Sequence, residues 1–261
     1  MLNSIPNVNF AAGASRGRFV QIRGIGERSQ FAEPINPSVS FIVDEFDFSG
    51  LAAAGLIFDT KQLEVYRGPQ ATLYGTGALA GAVKLSSNDV GSDAPDYVEA
   101  RIGNKESYRV EGATGDDINT DWGYRVALVH NRSDGFVENT FLNRSDTAKI
   151  DETALRFAVE GSVDERTTLA LTYRWYDIDN GYDAFSLDND NKTLSDEPGF
   201  DEHQTHAVSA RSTTNTAAGD LILIATHASH NIAYGYDEDW TFTGFHPWGY
   251  TCLLYTSPSP R

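Results

Sequence analysis

From Thr168 to Asp177 the side chains alternate without a break. Leu169, Leu171, Tyr173 and Trp175 fall on one face; Thr168, Thr172, Arg174 and Tyr176 fall on the other. A period of two is the geometry of an extended strand, and two unlike faces mean two unlike surroundings. The same pattern recurs. Trp122–Arg132 groups Trp122, Tyr124, Val126 and Leu128 on one face, and Thr153–Val163 groups Leu155, Phe157 and Val159, with Arg156 and Glu160 opposite. Shorter alternating runs stand at Tyr97–Gly103 and Ser107–Gly115. Weaker ones stand at His203–Thr214 and Asp220–His230, where alternation is lost at Leu221–Ala225. The connections alternate too: 116–121 and 163–166 are tight, whereas 135–150 and 179–202 are long and polar. Short turns at one end and long loops at the other fit a membrane β-barrel. Alternation by itself favours a soluble β-sandwich, which gives the same period. Aromatics near strand ends (Trp122, Tyr124, Tyr173, Trp175, Tyr176) and polar residues on the opposite face favour the barrel without deciding it.

Residues 1–90 differ in texture. Short apolar runs bounded by Gly or Pro read as strands at Phe19–Gly26, Val39–Phe46, Leu63–Gly68 and Gly81–Ser86, and Leu51–Phe58 suggests a helical turn or two. This is a compact α+β pattern, and Asn88–Pro95 reads as a linker. The densest segment is LEVYRGPQATLYGTGALAGAVKLSSNDV, Leu63–Val90. Its first strand stops at Pro69, which fixes φ and lacks an amide donor. Gln70–Tyr74 allows a brief turn of helix, and Gly75, Gly77 and Gly81 permit positive φ or close backbone approach. The segment lacks a phosphate-loop frame: no Lys-Ser/Thr follows a GxxxxG, and GTGALAG does not open a long helix.

Composition narrows the function classes. The 37 acidic and 20 basic residues give a net charge of -17, which argues against a nucleic-acid partner. One cysteine, Cys252, rules out an internal disulfide and a thiolate metal cluster. No run of ~18 apolar residues predicts a membrane helix, which leaves a strand barrel open. The opening MLNSIPNVNF lacks a signal-peptide layout, so the chain is expected either to be cytoplasmic or to begin upstream.

The Leu63–Val90 segment resembles the end of the plug domain of TonB-dependent outer-membrane receptors. The match rests on Glu64, Arg67-Gly68-Pro69, Leu73-Tyr74-Gly75 and Gly81-Ala82, in the family's order and spacing. IPNVNF (5–10), IRGIG (22–26), VSFIVDEF (39–46) and YVEARIGNKESYRVEGA (97–113) extend the resemblance to about His230. It implies an α+β plug domain at 1–90, followed at 91–250 by about seven antiparallel transmembrane strands of an incomplete β-barrel, where a whole family barrel has about 22. Residues 251–261, TCLLYTSPSPR, fit nothing before them and are similar to translated adapter sequence, a non-native tail. The resemblance further implies a Gram-negative outer-membrane transporter that takes up a scarce nutrient, a ferric siderophore above all, with cobalamin or glycans as alternatives. Its partners would be the TonB complex and outer-membrane lipid. No cofactor and no enzymatic step are implied, and seven strands alone could not close a barrel or transport anything.

Two groups of site residues follow from that resemblance. Arg23, Glu64 and Arg67 would lock the plug to the barrel through ion pairs, with Gly68, Pro69, Tyr74, Gly75 and Gly81 shaping the motif. Arg16, Arg28, Gln30 and Phe48 would lie on apical plug loops facing an anionic ligand. Each also reads as ordinary structural pairing or as a solvated loop residue. Asp188 and Asp190 alternate as in a calcium loop but lack its Gly and Glu, and the six histidines form no metal site on strand spacing. No catalytic triad assembles; Ser133, His130 and Asp134 are neighbours in sequence only. The competing readings are a secreted or surface glycan-binding β-sandwich and a β-rich enzyme, neither of which explains Leu63–Leu85.

Overall fold

The computed structural model describes residues 5–27, 37–51, 57–75, 77–245 and 253–256. An amino-terminal domain comes first. β1 (Val8–Gly13) and β2 (Arg16–Ile22) form a hairpin, and β3 (Val39–Val43), β4 (Phe46–Asp47), β5 (Thr60–Arg67) and β6 (Gly81–Ser87) form a mixed sheet in the order β4-β3-β6-β5. β3 runs parallel to β6, and β5 antiparallel to it. The run Val39–Phe46 is not one strand: it turns at Asp44, whose φ is 53°. The helix α1 is the single turn Ala71–Tyr74. Residues 52–56, most of the expected Leu51–Phe58 turn, lie outside the described residues.

The Gly-Pro segment behaves as its composition dictates. β5 ends at Arg67, Gly68 takes φ 152°, and the Gln70 N–H donates to the Ala78 carbonyl at 2.8 Å, closing the loop. Tyr74 returns beneath β5 with its ring 5.9 Å from that of Tyr66. Gly75, at φ 76°, closes α1 by donating to the Ala71 carbonyl. Gly81 starts β6 at φ 156°, where a Cβ would lie 2.2 Å from the Tyr66 carbonyl oxygen and 2.6 Å from Ile22 Cδ1. Only glycine lets β5, β6 and β2 meet there.

The rest of the chain is a curved wall. Its strands are β7 (Tyr97–Ile102), β8 (Tyr108–Asp117), β9 (Trp122–Ser133), β11 (Ile150–Ser162), β12 (Thr167–Gly181), β14 (Phe200–Thr216), β15 (Gly219–Asp237) and β16 (Leu253–Thr256). The two-residue strands β10 (Glu138–Asn139) and β13 (Lys192–Thr193) pair with each other in the long loops. Apart from that loop pair, each wall strand hydrogen-bonds its neighbour in chain order, as an antiparallel meander, so a sandwich of two facing sheets is excluded. β12, β14 and β15 are 15, 17 and 19 residues long, several residues beyond the alternating cores read from sequence. β16 takes four residues from the segment set apart as a tail and pairs them with Tyr234–Asp237.

The two faces of the wall differ as the alternation predicted. The outer face carries Leu128, Phe157, Leu171 and Val208, each more than 40% exposed. The inner face carries Ala113, Ala127, Ala154 and Ala207, buried against the amino-terminal domain. Small inner side chains allow that domain to come close, and Ile22, Phe41, Val43, Phe46, Phe48, Val83 and Leu85 fill the space. Burying each large side chain contributes roughly 1.5–3 kcal/mol. One apolar core thus joins domain and wall.

Candidate functional site

Charged residues interrupt that core at one place. β9, β11 and β12 each bring one arginine to the inner face: Arg125, Arg156 and Arg174. The register sets Arg156 directly opposite Arg174. Like charges facing across a strand pair are destabilising unless a counter-charge reaches them from off the sheet. The amino-terminal domain supplies two, Asp44 after β3 and Asp59 before β5.

Asp59 takes Arg125 as a fork. Arg125 Nη2 lies 2.6 Å from Oδ1, and its Nε lies 3.0 Å from both oxygens. Both side chains are wholly out of solvent. Arg156 Nη1 reaches Asp59 Oδ2 at 3.1 Å, and Asn88 Nδ2 donates to Oδ1 at 2.8 Å. Arg125 also donates to the carbonyls of Ala94 (3.4 Å) and Pro95 (3.2 Å), so the linker is part of the cluster. Asp44 pairs with Arg174 and accepts from the Ser87 N–H at 2.8 Å and hydroxyl at 3.0 Å. Burial alone would raise the pKa of Asp44; Arg174 and Arg156 outweigh it and hold the carboxyl below the usual carboxylate range. Asp44 and Asp59 both adopt left-handed φ, 53° and 47°. Short acidic side chains tolerate that region, and such strain persists where packing over-determines it.

A second polar seam lies toward the long loops. Arg16 faces Glu152 at 3.8 Å and Asp201 at 3.6 Å. Ser15, at the β1–β2 tip, donates to Asp201 through N–H (3.0 Å) and hydroxyl (2.7 Å). Asn180 bridges Ser15 and Glu152. Arg18 donates to the Gly50 carbonyl at 3.3 Å and lies over the Tyr234 ring, 5.4 Å from its centre.

This geometry redistributes the residues singled out from sequence. Arg23 sits in an exposed turn, Arg67 is exposed at the end of β5, and Glu64 lies beside Lys84 in the sheet. Among the described residues, the ion pairs from domain to wall are made instead by Asp44, Asp59, Glu45 and Arg16. Arg16 is 9% exposed and Phe48 2% exposed. Neither faces open space: Arg16 is drawn to wall acids, and Phe48 stacks on Phe46 and meets Tyr176 and His230 edge-on. Arg28 and Gln30 lie outside the described residues. The wall arginines were missed, although their common inward parity on three strands was a readable sign.

Comparison with known proteins agrees with the fold. Residues 1–82 match the model of the TonB-dependent receptor plug domain. The pesticin receptor of Yersinia pestis is 27% identical over 144 residues, which is 53% of this chain and 21% of that protein. The ferric yersiniabactin uptake receptor FyuA of Yersinia pestis superposes with a TM-score of 0.79 at 19% identity, over 89% of this chain and 38% of that one. FpvA of P. aeruginosa, bound to heterologous pyoverdines, gives 0.72 at 14% identity, over 98% and 34%. The ferric-catecholate import receptor Fiu of E. coli K12 gives 0.68 at 17% identity, over 98% and 38%. The chain therefore spans about a fifth of the curated relative's length and little more than a third of the solved receptors'.

Proposed function

We propose that this chain belongs to the TonB-dependent receptors and is the plug and first wall of an outer-membrane transporter for ferric siderophores. The observation that carries the reading is the buried cluster of Asp44 and Asp59 with Arg125, Arg156 and Arg174. It fastens a separate domain to the inner face of a wall whose outer face is apolar. Such a fastening suits a stopper held against thermal motion and released by force, and the TonB complex is the proposed source of that force. The apolar outer band implies lipid as its surroundings. A ferric siderophore is favoured as cargo because the similar receptors are named for yersiniabactin, pyoverdine and catecholate ligands. The apical loops that contain Arg28 and Gln30 are the proposed contacts. No covalent change of the cargo is part of this reading; the family is one of transport receptors rather than enzymes, and no nucleic acid is a partner.

The test has two stages. The complete gene, expressed in a Gram-negative host, should yield protein in the outer membrane fraction; recovery as soluble periplasmic protein would sink the reading. A deletion strain should then lose uptake of radioactive iron from one siderophore class under iron limitation. Undiminished uptake of every ferric siderophore tested, with loss of a glycan or cobalamin instead, would replace the cargo and keep the receptor.

A further inference from the structure

The charges of the buried ion cluster do not balance. Arg125, Arg156 and Arg174 bring three positive charges, and Asp44 and Asp59 bring two negative ones. Among the described residues, no other acid pairs with these arginines. Glu45 is taken by Arg211 and Asp89 by Lys61. Asp47 is exposed and accepts from the Ser49 N–H at 3.0 Å. Glu160 is exposed and stands four residues along β11 from Arg156, about 13 Å away. One positive charge is left over.

That surplus falls on Arg156. Asp59 holds Arg125 through two nitrogens but Arg156 through one, Nη1 to Oδ2 at 3.1 Å. The Arg156 Nε is buried without a hydrogen-bond partner, and Asp44 Oδ2 is 4.0 Å from it, beyond hydrogen-bond reach. Asp44 is committed to Arg174 and Ser87. Arg156 is 6% exposed and faces Arg174, a like charge. A guanidinium so placed, with too little counter-charge and a spare donor, attracts an anion.

There is room for one. Arg156 lines an inner cavity of about 860 Å³ between plug and wall. One step along the wall from Arg156, the register aligns Ala158, Thr172 and Ser209, and all three line the same cavity. An alanine leaves space, and two hydroxyls can donate to an oxygen. We propose that Arg156, with Thr172 and Ser209, forms a binding site for a carboxylate group in this cavity, and that the bound group completes the ion cluster. A planar guanidinium suits a carboxylate's two oxygens. Occupancy neutralises the surplus charge and so tightens the plug's hold on the wall. The site rests on the cluster's own charges and does not depend on the identity of the cargo. Two sources share this chemistry: a free small anion, and a carboxylate carried by a larger solute.

The test uses the whole receptor in detergent micelles, with trifluoroacetate as the probe. Its fluorine resonance should broaden when receptor is added and sharpen again when formate competes. Arg156→Met should weaken binding at least ~10-fold, as expected for loss of a charged donor. Lys149→Gln, whose pair with Asp179 is exposed, should leave it unchanged. Near-UV circular dichroism checks that Arg156→Met keeps the wild-type fold. Should it misfold, Ser209→Ala decides in its place, with binding weakened about 2–10-fold. Formate should also raise the melting temperature of the wild type and not that of Lys149→Gln any less. Citrate separates the sources: displacement by formate alone assigns a free small anion, and displacement by citrate as well assigns a group on a larger solute; either supports the site. Absence of formate-displaceable broadening in the wild type, or equal broadening in the wild type and the deciding variant, overturns the proposal.

Discussion

Replacing Asp59 by Asn removes the charge at the centre of the plug–wall contact and hardly alters its shape. The consequences can be worked atom by atom. Oδ1 receives Arg125 and Asn88, and Oδ2 receives Arg125 and Arg156. Asparagine keeps one acceptor and turns an amide toward a guanidinium. Arg125, with no exposed surface, then keeps only neutral acceptors: one amide oxygen and two backbone carbonyls at 3.2 and 3.4 Å. Breaking a buried pair from one side costs about 3–5 kcal/mol, because the remaining charge stays buried. At 1.36 kcal/mol per decade that corresponds to an opening equilibrium increased by about 10²–10⁴. Hydrogen exchange of the β5 and β6 amides, in the whole receptor in micelles, reads that opening. Lys61→Gln is the control, since its pair with Asp89 is more than half exposed on both sides and should shift exchange less than about tenfold. Adding Arg156→Met to Asp59→Asn should recover part of the loss by removing one of the stranded charges. Equal exchange in Asp59→Asn and Lys61→Gln, or strict additivity with Arg156→Met, would refute the reasoning.

Three other outcomes are expected. Phe157→Arg, on the apolar outer face, should cost about 2–4 kcal/mol of folding stability in bilayers, while Thr172→Arg, lining the inner cavity, should cost little; equal losses would contradict the assigned faces. Gly81→Ala should destabilise the plug by about 2–4 kcal/mol through overlap with the Tyr66 carbonyl and a disfavoured φ, and an unchanged melting temperature would count against the close approach. The folded-state pKa of Asp44 lies below its ordinary value of 3.8, so its contribution is complete above about that pH and fades as pH falls through the lowered value. The protection of β6 amides, relative to the intrinsic exchange rate at each pH, should therefore be flat from pH 7 to 5 and fall below 4; a fall beginning near pH 6 would assign the lock to another group.

What could be read in advance was whatever is local. Strict alternation at Thr168–Asp177 gave both faces of β12, because side-chain direction in a strand depends on parity alone. Pro69 and Gly81 marked the break between β5 and β6 through their own backbone restrictions. The lock was not local. Asp59 and Arg125 are 66 residues apart, and neither looks unusual among its neighbours. Sequence alone points to Arg23, Glu64 and Arg67, charges that stand in otherwise apolar plug strands. The useful sign lay on the wall instead, where three arginines share inward parity and two of them face each other. Such a pair requires an acid from elsewhere, and pairing across sheets is fixed by packing, which sequence spacing does not encode. The ends of β12, β14 and β15 were missed for a related reason: beyond the apolar band the outer face loses its large apolar side chains (Asp179 in β12, Glu202 and Gln204 in β14, Ala233 and Gly235 in β15), so the alternation no longer reads as apolar-out, although Ile178, Ile232, Tyr234 and Tyr236 are buried on the inner face.

The inner cavity of about 860 Å³ has Asp44 and Arg156 in its lining, so it reaches the edge of the ion cluster, while the Asp59–Arg125 pair behind them has no exposed surface. Attraction between such charges depends on how dry they are: the same pair is about four times weaker in bulk water than at an effective dielectric of 20. A strong grip and an easy release are therefore compatible. Undisturbed, the plug is gripped by contacts that exclude solvent. In the proposed release by force, a pull that tilts the plug enough to flood the gap would soften every pair together, and wetting, more than the breaking of bonds one at a time, would set the threshold.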